Sequence, residues 1–347
     1  MSTPLPGPVN WKWKALRAAV RVRRHPYLFA ALGFAAGIAS FLLVDRQKDS
    51  AGLIAVLMLA GWLWLILEDP LRRLISLIPG VDLPPPLVRF TTQLIHQESF
   101  FFVLPFFAIT TTWTSLQGVF TVLIGVAGLI SILDPVYHGW LTRHRWLYLA
   151  FHCLALSTIL LTALPLILHL TTWESYIITA VLTLILALPS LAQTIPLAGV
   201  KRVGGMLALL MALTATAWFG RLAVPPATLW LTESRISHLV DREELEPGRP
   251  LETPTAEAVL NRGVYAYTAI RAPRGLHETV YHEWVHNGRV YDRIPLEVTG
   301  GREAGYRAWS HKLSFPPNPE GTWYVRVKTE SDQMVGQVRF RVREGPD

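Results

Sequence analysis

Seven long apolar runs, nearly free of charge, constrain this chain more than anything else in it. They lie at roughly 26–44, 51–67, 99–115, 117–133, 146–169, 175–195 and 203–221. A helix of ~20 residues crosses ~30 Å of hydrocarbon. Only 16% of the 347 residues are charged, where a soluble domain carries about 25%. A soluble enzyme and a disordered chain are both set aside on that ground. The expectation is an integral membrane protein. The third and fourth runs are the hardest to divide. Together, 99–133 would make about 52 Å of helix, too long for one span and slightly short for two. The polar cluster Thr110, Thr111, Thr112, Thr114, Ser115, Gln117 and Gly118 reads as the turn of a tight hairpin, with Pro105 kinking its first arm. The second run is short, and Trp62 and Trp64 are expected to extend it into the interface.

Charge then orients the spans. With the N-terminus cytoplasmic, the inner segments hold 13 Lys and Arg, among them Arg143, Arg145, Lys201 and Arg202. The opposite segments hold three, Arg46, Lys48 and Arg221. That bias follows the positive-inside rule and favours an odd number of spans, with the C-terminus outside. The segment 1–25 is basic and cytoplasmic or interfacial. Leu71, Leu74, Ile75 and Ile78 mark a second interfacial stretch, and Pro84-Pro85-Pro86 is read as an extended break. The first run is read as an uncleaved anchor. Residues 1–231 carry a net +8 and residues 232–347 a net −1. No soluble basic face is implied by that balance, and nucleic acid is not an expected partner.

After Pro225-Pro226 the pattern changes. Residues 225–255 read as a polar connector, with a first strand near 232–240. From 256 to 347 the period becomes 2. Val264–Ile270, Thr279–Val285, Arg289–Val298, Tyr306–Leu313, Thr322–Lys328 and Val335–Val342 read as strands. Asn287-Gly288 is a two-residue hairpin signal. The fold expectation is therefore about seven transmembrane helices over 26–224, followed by an all-β, immunoglobulin-like sandwich.

Candidate chemistry is sparse. His282-Glu283-Trp284-Val285-His286 matches the zinc-protease string H-E-x-x-H, which requires a helix to bring both imidazoles to one metal. On a strand those residues stand about 13 Å apart, too far to share a zinc with bonds of about 2 Å. We read the string as strand, with no metal, no cofactor and no enzyme activity expected. Cys153 is the lone cysteine, so Cys-rich metal sites are excluded. Trp284, Trp309 and Trp323, with Arg307, His282 and Lys312, are candidates for contact with a partner, either as core or as a stacking platform. Glu98 and Asp134 lie at span ends and His152 in mid-helix; these are the polar candidates within the membrane.

The strings Val280-x-His282-x-Trp284, Asn287-Gly288, Trp309-Ser310-x-Lys312, Gly321-x-Trp323-x-Val325 and Val338-x-Phe340-x-Val342 resemble an uncharacterised bacterial family. Its members are multi-span membrane proteins carrying a small C-terminal domain of unknown function (DUF). Ser234-Arg235 and Asp241-Arg242-Glu243 resemble that domain's opening strand, so the resemblance covers roughly 232–343. It implies a bacterial inner membrane location and an envelope role; the outside position expected for residues 232–347 adds the bilayer and a periplasmic protein, peptidoglycan or glycan as partners. It implies no substrate or catalytic residue. The expected function is presentation of a periplasmic sandwich to such a partner; the alternative is a transporter or lipid-handling protein with the module as an accessory.

Overall fold

The computed structural model describes residues 85–194, 199–241 and 243–345, with scattered helical positions between 31 and 63. The basic segment, most of the first two apolar runs and the 71–78 stretch lie outside the described residues. Helix α1 runs Pro85–Thr110, α2 Gln117–Ile132, α3 Asp134–Tyr137, α4 Arg145–Leu168, α5 Thr172–Thr194 and α6 Gly199–Gly220. Residues 99–133 thus form two helix arms, and their turn is the polar cluster singled out in the sequence. It is closed by side chains: the Thr112 amide donates to Gln117 Oε1 at 3.0 Å and Ser115 Oγ donates to the Thr112 carbonyl at 2.7 Å. The proline run departs from its expected role. Pro85 begins α1, because a residue with fixed φ and no N–H costs nothing in a first helical turn.

Two described helices are long and apolar enough to cross a membrane, α4 and the stretch Gly199–Ala223. A third span results if α2 and Asp134–Arg143, bent by 96°, count as one. The sequence leads one to expect five over this region. The difference has a physical cause: α1 carries Arg89, Gln93, His96, Gln97 and Glu98, α2 has only 16 residues, and the apolar part of α5 stops at Leu188. Trp62 does not reach toward an interface. It is 1% exposed, packed in the helical core, and donates to Ser99 Oγ at 2.9 Å.

The C-terminal part is β-rich. Strands β1 (Trp230–Ser237), β4 (Val264–Arg271) and β7 (Tyr306–Lys312) form one antiparallel sheet. Strands β5 (His277–His286), β6 (Arg289–Thr299), β8 (Gly321–Thr329) and β9 (Met334–Val342) form a second, in the order β6-β5-β8-β9. Strands β2 (Val240–Asp241) and β3 (Glu246–Pro247) make a small separate hairpin. The six strands read from the sequence appear within two residues of their expected ends. The connector proves more structured than its composition suggests: it holds β1 to β3. A short helix α7, Ala256–Arg262, with Thr255 Oγ1 accepting from the Ala258 amide at 3.3 Å, interrupts the expected strand run. At Asn287-Gly288 both φ values are positive, 48° and 77°, as the tight hairpin turn requires.

The sheets pack face to face, and alternation explains how. Along β5, Val280, His282 and Trp284 point inward. Val280 joins one apolar cluster with Leu229, Ile270, Val298 and Val327; Trp284 joins another with Ile236, Ala266, Trp323 and Phe340. Between the two runs a polar seam. His282 bridges the sheets through Thr268 Oγ1 at 3.0 Å and Ser310 Oγ at 2.9 Å, and Trp284 Nε1 donates to the same Ser310 oxygen at 3.1 Å. Burial holds His282 neutral, pushing it down to about 3. Trp284→Ala should remove about 3–5 kcal/mol of stability, read as a lowered denaturation midpoint for the β transition of the purified chain. An unchanged midpoint would contradict this packing.

Candidate functional site

Two sets of residues carry chemistry, one among the helices and one on the β-module. In the helical core, His96 of α1 lies at the centre. Its Nδ1 is 2.7 Å from the Tyr137 hydroxyl on α3, and its Nε2 is 2.9 Å from Nδ1 of His152 on α4. Tyr148 adds a hydrogen bond to Tyr137. A neutral imidazole has one donor and one acceptor. Two opposite directions each satisfy the chain: Tyr137 donates to His96 and His96 to His152, or His152 donates to His96 and His96 to Tyr137, whose hydroxyl then donates to Tyr148. The rings of Trp62, Phe151 and Tyr148 enclose the pair. His152 lies seven residues into α4, about 10 Å from its Arg145 end.

One turn away, Gln93 ties the α2–α3 break to α1. Its Nε2 donates to the Ser131 carbonyl at 3.1 Å and to Asp134 Oδ1 at 2.8 Å, while its Oε1 meets His138 Nε2 at 2.8 Å. The amide satisfies backbone and side-chain groups freed where the helix bends. Of the three polar candidates, His152 and Asp134 are therefore drawn into this network, and Glu98 is not. Two residues past His96, it projects from the opposite side of α1. His96, Tyr137 and Gln93 are the participants that sequence reasoning missed. They stand 38 to 56 residues from their partners, so no spacing pattern links them. Among the described residues, no group of three or more His, Cys, Asp or Glu is arranged to hold a metal ion.

In the β-module the aromatic candidates separate by face. Trp284 and Trp323 are both 0% exposed and belong to the core, where Trp323 stacks on His286 at 4.5 Å. His282 belongs to the seam. Lys312 is buried too, paired with Asp292, with its ammonium 5.2 Å from the Phe315 ring centre. The H-E-x-x-H string lies on β5, where Glu283 points to the other face and pairs with Lys328 at 2.7 Å. Only Trp309 and Arg307 lie on an outward face, that of the three-stranded sheet. Beside them the Tyr265 and His311 rings stack at 3.8 Å, and Arg307 donates to the Glu244 carbonyl at 2.9 Å, fastening the β2–β3 hairpin there.

The two halves meet through side chains. Glu278, at the start of β5 and 2% exposed, accepts from the Thr172 amide at 2.7 Å and from its hydroxyl at 3.1 Å, at the first turn of α5. Gln117 donates to the Met334 carbonyl at 2.8 Å and Gln333 to the Val224 carbonyl at 2.9 Å. Arg221 donates to the Ser331 carbonyl at 3.2 Å. The module therefore rests on the α1–α2 turn, the α4–α5 turn and the end of α6.

With that geometry in view, the comparisons place the chain. A model of a family of unknown function, DUF5924, matches residues 8–266, and one of a protein of unknown function, DUF2914, matches 277–342. The chain belongs to the DUF5924 family. No curated protein and no solved structure matches it. The gap between the two family matches, 267–276, takes in most of β4 and ends at the start of β5, inside the two-sheet unit. The three-stranded sheet draws β1 from one match and β7 from the other, with β4 running across the boundary of the first.

Burial of the Glu278 carboxyl, opposed by its two Thr172 bonds, pushes it up to about 7 from an ordinary 4.5. Between those values the folded chain holds a proton that the unfolded chain has lost. The contribution of this contact therefore falls as pH rises from about 5 to about 7. Glu278→Gln keeps the acceptor oxygen and removes the ionisation. Thermal unfolding of the full chain across pH 5–8 should show that decline in the wild type and a flatter profile in the variant. Parallel profiles would refute the assignment.

Proposed function

We propose that this is a multi-pass protein of the bacterial inner membrane, N-terminus cytoplasmic, which holds an immunoglobulin-like module in the periplasm and engages envelope components without catalysis. On this reading α4, α6 and the bent α2–α3 pair cross the bilayer, and α5, apolar over Thr172–Leu188, returns the chain between α4 and α6. One observation carries it. The helix ends on which the module rests, 111–116, 169–171 and 221–224, are the ends that the positive-inside count assigns to the outside. The basic segment Arg143–Arg145 and Lys201 lie at the opposite ends of their helices. The immunoglobulin-like reading is supported by the three-plus-four strand arrangement and by a buried tryptophan, Trp284, on the first strand of the larger sheet. The outward Trp309, Arg307 and the Tyr265–His311 stack are the surface offered to a periplasmic protein, peptidoglycan or glycan. A reporter fused after residue 347 should be active only if it is a periplasmic type. Activity of a cytoplasmic-type reporter alone would end the proposal.

A second reading has its own support. His96, His152 and Tyr137 converge beside a bent helix, the arrangement by which transporters and proton-coupled proteins place polar groups within a bilayer. If the chain moves a solute or lipid, His152→Leu should abolish the flux while leaving the protein folded in the membrane. An unaltered flux in proteoliposomes would remove this reading.

A further inference from the structure

The net charge of −1 over residues 232–347 conceals a separation. Acidic residues gather at the β2–β3 hairpin: Asp241, Glu243, Glu244 and Glu246. The outer face of the four-stranded sheet is basic instead. Strand pairing sets Arg326 beside Gln337, Tyr324 beside Arg339 and Thr322 beside Arg341. All six share one face, because the intervening Trp323, Val325, Phe340 and Val342 are core. Toward β6 the cations are compensated, Lys328 by Glu283 at 2.7 Å and Arg293 by Asp332 at 3.2 Å. Lys328 takes up the Glu283 carboxylate that also stands across from Arg326, so at Arg326 and along β9 they are not. Among the described residues Arg326, Arg339 and Arg341 have no ion-pair partner, and the Arg326 Nε–H is buried without an acceptor.

This face is tied to the helices. Gln337, in the row of Arg326, donates to Thr114 Oγ1 at 3.1 Å in the α1–α2 turn. The neighbours of Thr114 in that turn include Trp113 and Leu116, 60% and 66% exposed. Exposed tryptophan at a helix end belongs at headgroup depth. Arg326, level with Gln337, lies beside that turn, and Arg339 and Arg341 follow along β9 at about 7 Å and about 13 Å from Gln337. A headgroup layer is ~5–8 Å thick, and long arginine side chains lean back toward it. We propose that Arg326, Arg339 and Arg341 form a binding face for the phosphates of anionic phospholipids in the leaflet beside the module. Guanidinium groups pair with phosphate through two parallel hydrogen bonds, and the Tyr324 and Thr322 hydroxyls add donors between them. This inference rests on the membrane reading above and names a partner for it.

The test uses the full chain in neutral detergent, titrated with phosphatidylglycerol or phosphatidylcholine and read by native mass spectrometry. The wild type should prefer phosphatidylglycerol. Arg339→Gln with Arg341→Gln, both exposed, should reduce that preference by roughly tenfold or more. Arg143→Gln with Arg145→Gln, at the far end of the helices, should leave most of it. Equal preference in wild type and the β9 variant overturns the inference, as does loss only in the helix variant. Binding of soluble polyphosphate through the same arginines, with no lipid preference, also overturns it. Extraction of the chain from membranes by alkaline carbonate would instead defeat the underlying membrane reading, so the two failures are distinguishable.

Discussion

The contact on which the arrangement turns is the Glu278 carboxylate at the first turn of α5. A helix begins with amides that have no partner within the helix. Those of α5 lie at the buried junction between the helices and the β-module, where Thr172 is 8% exposed and water is a poor substitute. A residue 106 positions later supplies the acceptor. Gln117, Gln333 and Arg221 settle carbonyls on the two sides of the same junction. The module is thus more than a tethered appendage. Its strand ends complete the hydrogen bonding of the helix ends, and the aim of its faces follows from that contact.

The module's interior obeys a related rule. A core of this size can place an imidazole at its centre only if both ring nitrogens find partners. Thr268 and Ser310, each a small hydroxyl on the facing sheet, supply them. A hydroxyl can donate or accept as needed, so neither tautomer of His282 leaves an orphan. The seam fixes how the two sheets are registered over each other, a matter on which apolar contacts alone are tolerant.

Legibility in the sequence followed periodicity. The strands from Val264 onward declare themselves through alternation and through Asn287-Gly288, and the α1–α2 turn through its threonines. What alternation could not decide was which face of each strand is core. Trp284, Trp309 and Trp323 look alike in sequence, and only sheet pairing sends Trp309 outward. The helical site was less legible still. His152 reads as an isolated polar residue on an apolar helix and His96 as one of several polar residues leading into another, and their meeting depends on how α1 and α4 cross. The bend after Ile132 brings Tyr137 into reach, and Pro135 is the one local sign of it. Charge gave a comparable lesson: a near-zero sum hid an acidic hairpin and a basic sheet face.

The seam between the two family matches has a further consequence. Because one sheet takes strands from both sides of residues 266–277, each apolar cluster of the module is built from both portions. A cut there would strip Ile236 and Ala266 from Trp284 and Trp323 and turn both indoles toward water.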